Sequence, residues 1–312
     1  MGELKNELSW SRSRISTLHS CHRKYYYQYY LKWGGWNYYA PEDAQQAYFL
    51  SKMTGLPAMV GDAVHRTIKM LLLQVSEYGD FKLENPAEYA RREILSKCWT
   101  DALDEKWRKS LKKFPPVFEI YYDQKPEPEK LKALGQKLTR CLDTFLTSPL
   151  AEDLRNESPD MWLAVDPDFK EAPKLVVHNH TVWALPDFVR RRPNGRVEIW
   201  DWKTGRKSEH DQLQLLSYAL FAQQNWDVSA DQIDLKGFYL DPELPDHGVV
   251  DYACNADELA RIESIILEDI THMQTLLSDV AKNVAHPAET HFPMIENGPT
   301  CGFCNFREFC ER

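Results

Sequence analysis

Pro186-Asp187, thirteen intervening residues and then Asp201-Trp202-Lys203 bring two carboxylates and an ammonium group into one short stretch. Between them lies Pro193-Asn194-Gly195. A three-residue hairpin loop there suits each residue type: Pro fixes φ, Asn tolerates the middle position and Gly takes the left-handed one. Arg192 then pairs with Arg196, and counting outward sets Asp187 opposite Asp201 with Cβ atoms roughly 5 Å apart. Side chains alternate along a strand, so Lys203 shares the face of Asp201. A two-residue Asn-Gly loop would shift the register by one, so the pairing depends on the longer turn.

Two carboxylates at that separation can share a divalent cation. Mg²⁺ and Mn²⁺ favour carboxylate oxygens, and such an ion polarises a phosphodiester and activates water. A neighbouring lysine positions that water and stabilises the developing negative charge. The same three residues also read as an ordinary same-face salt bridge with Asp187 at a strand end. Their context favours chemistry. His65, in Gly61-Asp62-Ala63-Val64-His65, falls in the first turn of a helix expected over 62–77. Gln214 and Tyr218 stand at i and i+4 on one face of a helix expected over 209–224, close after the lysine.

His65, Asp187, Asp201, Lys203, Gln214 and Tyr218, in that order, resemble the RecB-type branch of the PD-(D/E)XK nucleases. The resemblance implies an α/β restriction-endonuclease-like core, with a mixed central sheet flanked by helices. It implies that His65, Asp187 and Asp201 bind Mg²⁺ or Mn²⁺, that Lys203 is catalytic with them, and that Gln214 and Tyr218 assist at the DNA.

Cys301-Gly-Phe-Cys304, five residues and Cys310 place three thiols close together near the carboxyl end, and Cys21 offers a fourth. Such sets hold zinc or an iron-sulfur cluster. With Ser11, Arg14, Ile15 and Ser16 ahead of Cys21-His-Arg-Lys-Tyr-Tyr-Tyr, the arrangement resembles the iron-sulfur RecB-like nucleases, including the CRISPR-associated adaptation exonucleases and the AddB helicase-nuclease subunit. That likeness implies a 4Fe-4S cluster on Cys21, Cys301, Cys304 and Cys310, a clasp closing a loop of nearly the entire chain. His22 replaces the family's usual proline, and His19 and His22 leave a mixed zinc site open as the alternative. Cys98, Cys141 and Cys254 lack metal spacing and read as buried residues.

The elements needed to position these groups are visible as patterns. Ser16 is expected to cap a helix over 17–33, and 86–155 reads as helical and charged, part of a helical insertion over about 76–173. Short β-type runs fill 175–203, and helix returns over 209–224 and 256–284. The expected organisation is one integrated domain: an amino-terminal helical element over 1–50, a nuclease core over 51–290 and the cysteine motif over 291–312.

At 312 residues and 43% hydrophobic content the chain has enough apolar material for a core, while a net charge of −9 argues against coating nucleic acid through bulk electrostatics. No long apolar run or signal-like amino terminus is seen, so a cytoplasmic protein is expected. Tyr25–Tyr30 with Arg23 and Lys24 suggest base stacking or core packing, Lys106–Lys113 a phosphate track or a solvated face, and His178 and His180 a surface turn. No phosphate-binding motor loop occurs, so a separate helicase or other DNA-processing protein is the expected partner. The expected activity is hydrolysis of DNA phosphodiesters, exonucleolytic on single strands or ends, in repair, recombination or defence. A non-catalytic nucleic-acid-binding subunit and an RNA nuclease are the alternatives.

Overall fold

The computed structural model describes residues 5–167 and 174–312. Its strands are β1 (Ser9–Ser11), β2 (Trp162–Val165), β3 (Leu175–Val177), β4 (His180–Trp183), β5 (Phe188–Arg191), β6 (Val197–Lys203), β7 (Ile233–Tyr239), β8 (Gly248–Tyr252), β9 (Leu277–Asp279) and β10 (Val284–Ala285). The central mixed sheet has the order β2-β5-β6-β7-β8. Only β6 and β7 are parallel within it, and the helix Asp211–Trp226 makes the crossover that such a pair requires. A smaller sheet, β1-β4-β3, ties the amino-terminal segment to the strands before Asp187.

β6, Val-Glu-Ile-Trp-Asp-Trp-Lys, explains why the sheet carries helices on both faces. Val197 and Ile199 point to one face, where Leu215 and Ala219 of the Asp211–Trp226 helix and Ile262 and Ile266 of the Ala256–Thr275 helix cover them. Trp200 and Trp202 point to the other, against Val64 and Ile68 of the Leu56–Tyr78 helix and Leu142 and Phe145 of the Pro128–Leu146 helix. Each such aliphatic or Phe side chain contributes about 1.5–3 kcal/mol on full burial. Asp201 and Lys203 continue the first face at the carboxyl end of β6, where the apolar pattern gives way to chemistry.

Several sequence-based boundaries move. The helix carrying His65 begins at Leu56, not Asp62: Pro57 stands in its first turn, and the Glu119 carboxylate accepts from the Leu56 N–H at 3.0 and 3.2 Å. That cap comes from 63 residues away, and Gly61 is simply tolerated inside the helix. Ser16 caps nothing; Ser11 is the N-cap of Arg12–Ser20, with its Oγ accepting from Arg14 N–H. The expected 17–33 helix breaks at Cys21, whose extended backbone and Sγ cap His22–Tyr26. The 256–284 helix stops at Thr275, because Asp279 and left-handed Asn283 turn the chain into a β9–β10 hairpin.

The segment 76–173, expected as a helical insertion, is largely helical to Asn156 but then supplies β2, an edge strand of the central sheet. Its Pro128–Leu146 helix covers one sheet face. Amphipathic spacing is the same for a core layer and an insertion, so sequence periodicity did not separate them. Its last residues, 168–173, lie outside the described residues.

Candidate active site and cysteine corner

The hairpin has the three-residue loop expected of Pro193-Asn194-Gly195. Arg192 N–H donates to Arg196 O at 2.7 Å, Gly195 N–H to Arg192 O at 2.8 Å, and Gly195 has φ 84°. The ladder runs from Arg191 opposite Val197 to Phe188 opposite Trp200, so Asp187 and Asp201 stand next in register. Asp187 leaves the ladder in a bend. Its Oδ2 accepts from Trp202 N–H at 2.7 Å, its carbonyl accepts from Asp166 N–H at 2.7 Å, and its Oδ1 lies 3.1 Å from His65 Nδ1. His65 reaches it from the helix layer on the tryptophan face, in the third turn of its helix rather than the first.

Asp201 is buried and framed from the other layer. Its Oδ1 accepts from Gln214 Nε2 at 3.2 Å and from Tyr218 Oη at 3.4 Å, while Lys203 Nζ donates to Gln214 Oε1 at 2.8 Å. Gln214 Nε2 also donates to Tyr218 Oη at 2.5 Å. The i, i+4 pair therefore points at the carboxylate and the lysine, and Tyr218 is itself buried. Lys203 Nζ is 2.6 Å from Asp201 Oδ2, so this enclosed oxygen is paired with the lysine ammonium. Burying a carboxylate is costly, and the ammonium offsets part of that cost.

The charges respond to one another. Burial and then the nearby Asp187 push the Asp201 carboxyl up to about 6, against the pull of Lys203. Burial lowers the Lys203 ammonium, but Asp201 outweighs it and the group is held above its usual value. Burial likewise lowers His65, yet Asp187 prevails and raises it to about 9. Desolvation, then Asp201 and Asp187, raises the Tyr218 phenol, which stays a neutral donor.

Two acidic residues that the motif did not single out stand beside this cluster. Asp166, at φ 37° just after β2, has its carboxyl raised by burial and by Asp187, and Lys69 Nζ donates to its carbonyl at 2.6 Å. Asp211 lies 3.8 Å from Lys203 and accepts from Tyr239 Oη at 2.6 Å. Gly237, opposite Asp201 in the parallel ladder, leaves room for Tyr239 and Tyr252: a Cβ there would lie 3.2 and 3.1 Å from their rings. The polar end of β2 and the acidic start of the crossover helix were the available sequence signals, and neither has a diagnostic spacing.

A family model described as the PD-(D/E)XK nuclease superfamily matches residues 9–311. The chain belongs to that superfamily. Membership supports a nuclease, and PD-(D/E)XK nucleases usually use divalent metals such as Mg²⁺ or Mn²⁺. No curated protein matches the sequence. Among the described residues no three His, Cys, Asp or Glu side chains are already arranged around a point that could hold a metal ion. In this PD-(D/E)XK chain the donor set is nevertheless of the right kind: the carboxylate oxygens of Asp187 and Asp201 and the imidazole of His65.

The four cysteines of this PD-(D/E)XK protein line one small cavity, with Met294, Ile295 and Phe306 supplying apolar wall. Lys24 N–H donates to Cys21 Sγ at 3.4 Å and Arg312 Nη1 to Cys301 Sγ at 3.2 Å. The Gly298 backbone hydrogen bond and then Arg312 hold the Cys301 thiol below its usual value, whereas burial raises Cys304 and Cys310. His22 faces His272 at 3.5 Å and His19 faces Asp269 at 3.5 Å, and neither histidine lines the cysteine cavity.

The weaker sequence signals resolve towards structure. Tyr25 and Tyr27 are buried, Tyr26 and Tyr30 pack around Phe292, and Arg23 donates to the Phe292 and Ala288 carbonyls. Lys106 pairs with Asp101 and Arg108 with Glu105. His178 takes φ 45° in the β3–β4 turn and is exposed. Cys141 is fully buried, and Cys98 and Cys254 are half-buried.

Proposed function

We propose that the chain is a divalent-metal-dependent deoxyribonuclease acting exonucleolytically on single strands or free ends, with His65, Asp187 and Asp201 as metal ligands and Lys203 as the catalytic cation. The observation that carries this reading is the convergence of His65, Asp187 and the buried Asp201, with Lys203 paired to Asp201, at the carboxyl end of β6. When bound, Mg²⁺ or Mn²⁺ would polarise the scissile phosphate and activate water. Lys203, kept charged by Asp201, would stabilise negative charge developing on the phosphate. Gln214 orients both Lys203 and Asp201 through its two amide ends, and Tyr218 fixes the amide by occupying its remaining N–H. His65 would have to give up its proton to become a ligand, so metal uptake releases protons.

We further propose that Cys21, Cys301, Cys304 and Cys310 hold a 4Fe-4S cluster. Four thiols around one apolar-walled cavity, with N–H groups already aimed at two sulfurs, support it. Anaerobically purified protein should be brown, with iron and sulfide in equal amounts; stoichiometric zinc without sulfide would overturn the cluster.

End-labelled single-stranded DNA incubated with the purified chain and Mn²⁺ should shorten progressively from an end, and EDTA should stop it. Intact DNA in Mn²⁺ would refute the activity, and internal cuts in circular strands would refute the exonucleolytic assignment.

A further inference from the structure

A cleft of about 610 Å³ opens beside the site, with Gln214 and Tyr218 in its lining. The amino-terminal segment supplies much of its other wall, with residues 29–33 and the end of β4 completing it. Its charge is unlike that of the protein at large. Against a net charge of −9, the described lining residues include the cations Lys5, Arg12, Arg14 and Lys32 and a single carboxylate, Glu7. Arg14 is engaged by Tyr25 and Tyr30, but Lys32 has no carboxylate partner among the described residues. Instead it is partly enclosed near Lys52 and Arg14, and burial followed by those like charges lowers its ammonium to about 8. Its Nζ lies over the Tyr29 ring at 5.8 Å, but enclosing a cation among cations without a counter-ion is unfavourable, and a phosphate would offset that cost.

Trp33 lines the same cleft and begins a run of exposed aromatic residues. Trp33 and Trp36 are in edge contact at 5.1 Å, and Tyr38 and Tyr39, at 5.3 Å from each other, are 85% and 89% exposed. Trp36 also meets Tyr48 edge-on at 5.8 Å, whereas core packing does not account for the exposure of Tyr38 and Tyr39. The loop that carries them is nevertheless fixed. Gly35 sits so close to Ala44 O that a Cβ would be 2.0 Å from it, and Gln45 Nε2 donates to Tyr38 O and Ala40 O at 3.0 and 2.7 Å. A cationic groove with Trp33 in its wall, followed by uncovered rings on an anchored loop, is the combination that binds unpaired strands, because duplex bases are already stacked on each other.

We propose that this cleft is the track for a single strand of nucleic acid, which grips phosphates at Lys5, Arg12 and Lys32 and stacks bases on Trp33, Trp36, Tyr38 and Tyr39. The proposal rests on the nuclease reading for its direction, since the track ends at Gln214 beside Lys203.

The test is fluorescence anisotropy of labelled oligothymidylate with the full chain in EDTA, where binding is read without cleavage. The double variant Tyr38→Ala/Tyr39→Ala removes rings that bury almost nothing, so its melting curve should match the parent. It should weaken binding about tenfold or more without changing the salt dependence. Lys32→Ala should weaken binding and reduce the slope of log affinity against log salt by about 0.7. A blunt duplex of equal length should bind the parent at least about tenfold more weakly than the strand. Unchanged affinity in both variants, or equal binding of duplex and strand, would overturn the track. Strand binding that depends on these residues in a protein that never cleaves would uphold the track and refute the nuclease reading. Mn²⁺-dependent cleavage with both variants binding normally would do the reverse.

Discussion

The carboxylate cluster and the cysteine corner both gather residues distant in sequence, but they are built by opposite means. Asp187, Asp201 and Lys203 sit on or beside paired strands, and Gln214 and Tyr218 on a sixteen-residue helix packed against them. Their positions follow from the sheet register and two helical layers, and side-chain hydrogen bonds fix them further. The cysteine corner has little regular structure: Pro299–Gly302 and Arg307–Cys310 are each four residues long, and Cys21 marks a break between helices. What holds it is Phe306 buried beside Tyr27 and Phe118, Asn305 donating to the Leu50 and Met53 carbonyls, and Tyr122 donating to Asn305 O. A site framed by the core should lose chemistry and keep its fold when one ligand is removed. A corner of short turns should lose local order first.

The largest effect that separates the two should come from Asp201→Asn, close in shape to the native side chain, or Lys203→Ala. Either should lower Mn²⁺-dependent cleavage by about 10³-fold or more while far-ultraviolet circular dichroism is retained; full cleavage by either variant would break the catalytic half of the contrast. Next, Cys304→Ala should bleach the protein, lower Tm by roughly 5–10 °C and increase proteolysis near both termini. An unchanged Tm in a colourless variant would show that Phe306 and Asn305 suffice. Gln214→Ala should cost about tenfold in kcat with little change in Tm, as expected of a residue that orients others. A like loss in Gln214→Glu, which keeps the acceptor for Lys203 but cannot donate to Asp201, would sharpen that positioning role, whereas loss of Tm would make it structural.

The smallest effect concerns the metal-free protein. The pairing of His65 with Asp187 raises the imidazolium from 6.5 to about 9, so its stabilisation is complete below pH 6.5 and fades as pH rises through about 9. In EDTA, the Tm difference between the parent and His65→Ala should shrink over that window. A difference that grows with pH would reverse the assigned charge.

The turn chemistry of Pro193-Asn194-Gly195 made the hairpin register readable, because one loop length sets every pair out to Asp187 and Asp201. The crossover helix and its Gln214/Tyr218 face were equally legible. What the sequence concealed was tertiary. Glu119 caps a helix from another part of the chain, and Asp279 with Asn283 ends one whose apolar pattern continues. Trp162–Val165 joins a sheet whose other members lie beyond residue 187. In the site, Asp166 and Asp211 acquire their positions only when β2 pairs with β5 and Tyr239 reaches the crossover helix. The tyrosine run left stacking and core packing open for a similar reason: Phe292 and Phe306, remote in sequence, cover it, and the uncovered rings lie just beyond it, at 33–39.

The central claim is that His65, Asp187 and Asp201 together form a metal site. Its most direct test is calorimetric titration of Mn²⁺ into the parent, His65→Ala and Asp201→Asn, without nucleic acid and with the cysteine corner intact in all three. Binding by the parent, weakened about tenfold or more by each substitution, is the predicted result. Equal Mn²⁺ affinity in all three proteins would contradict it.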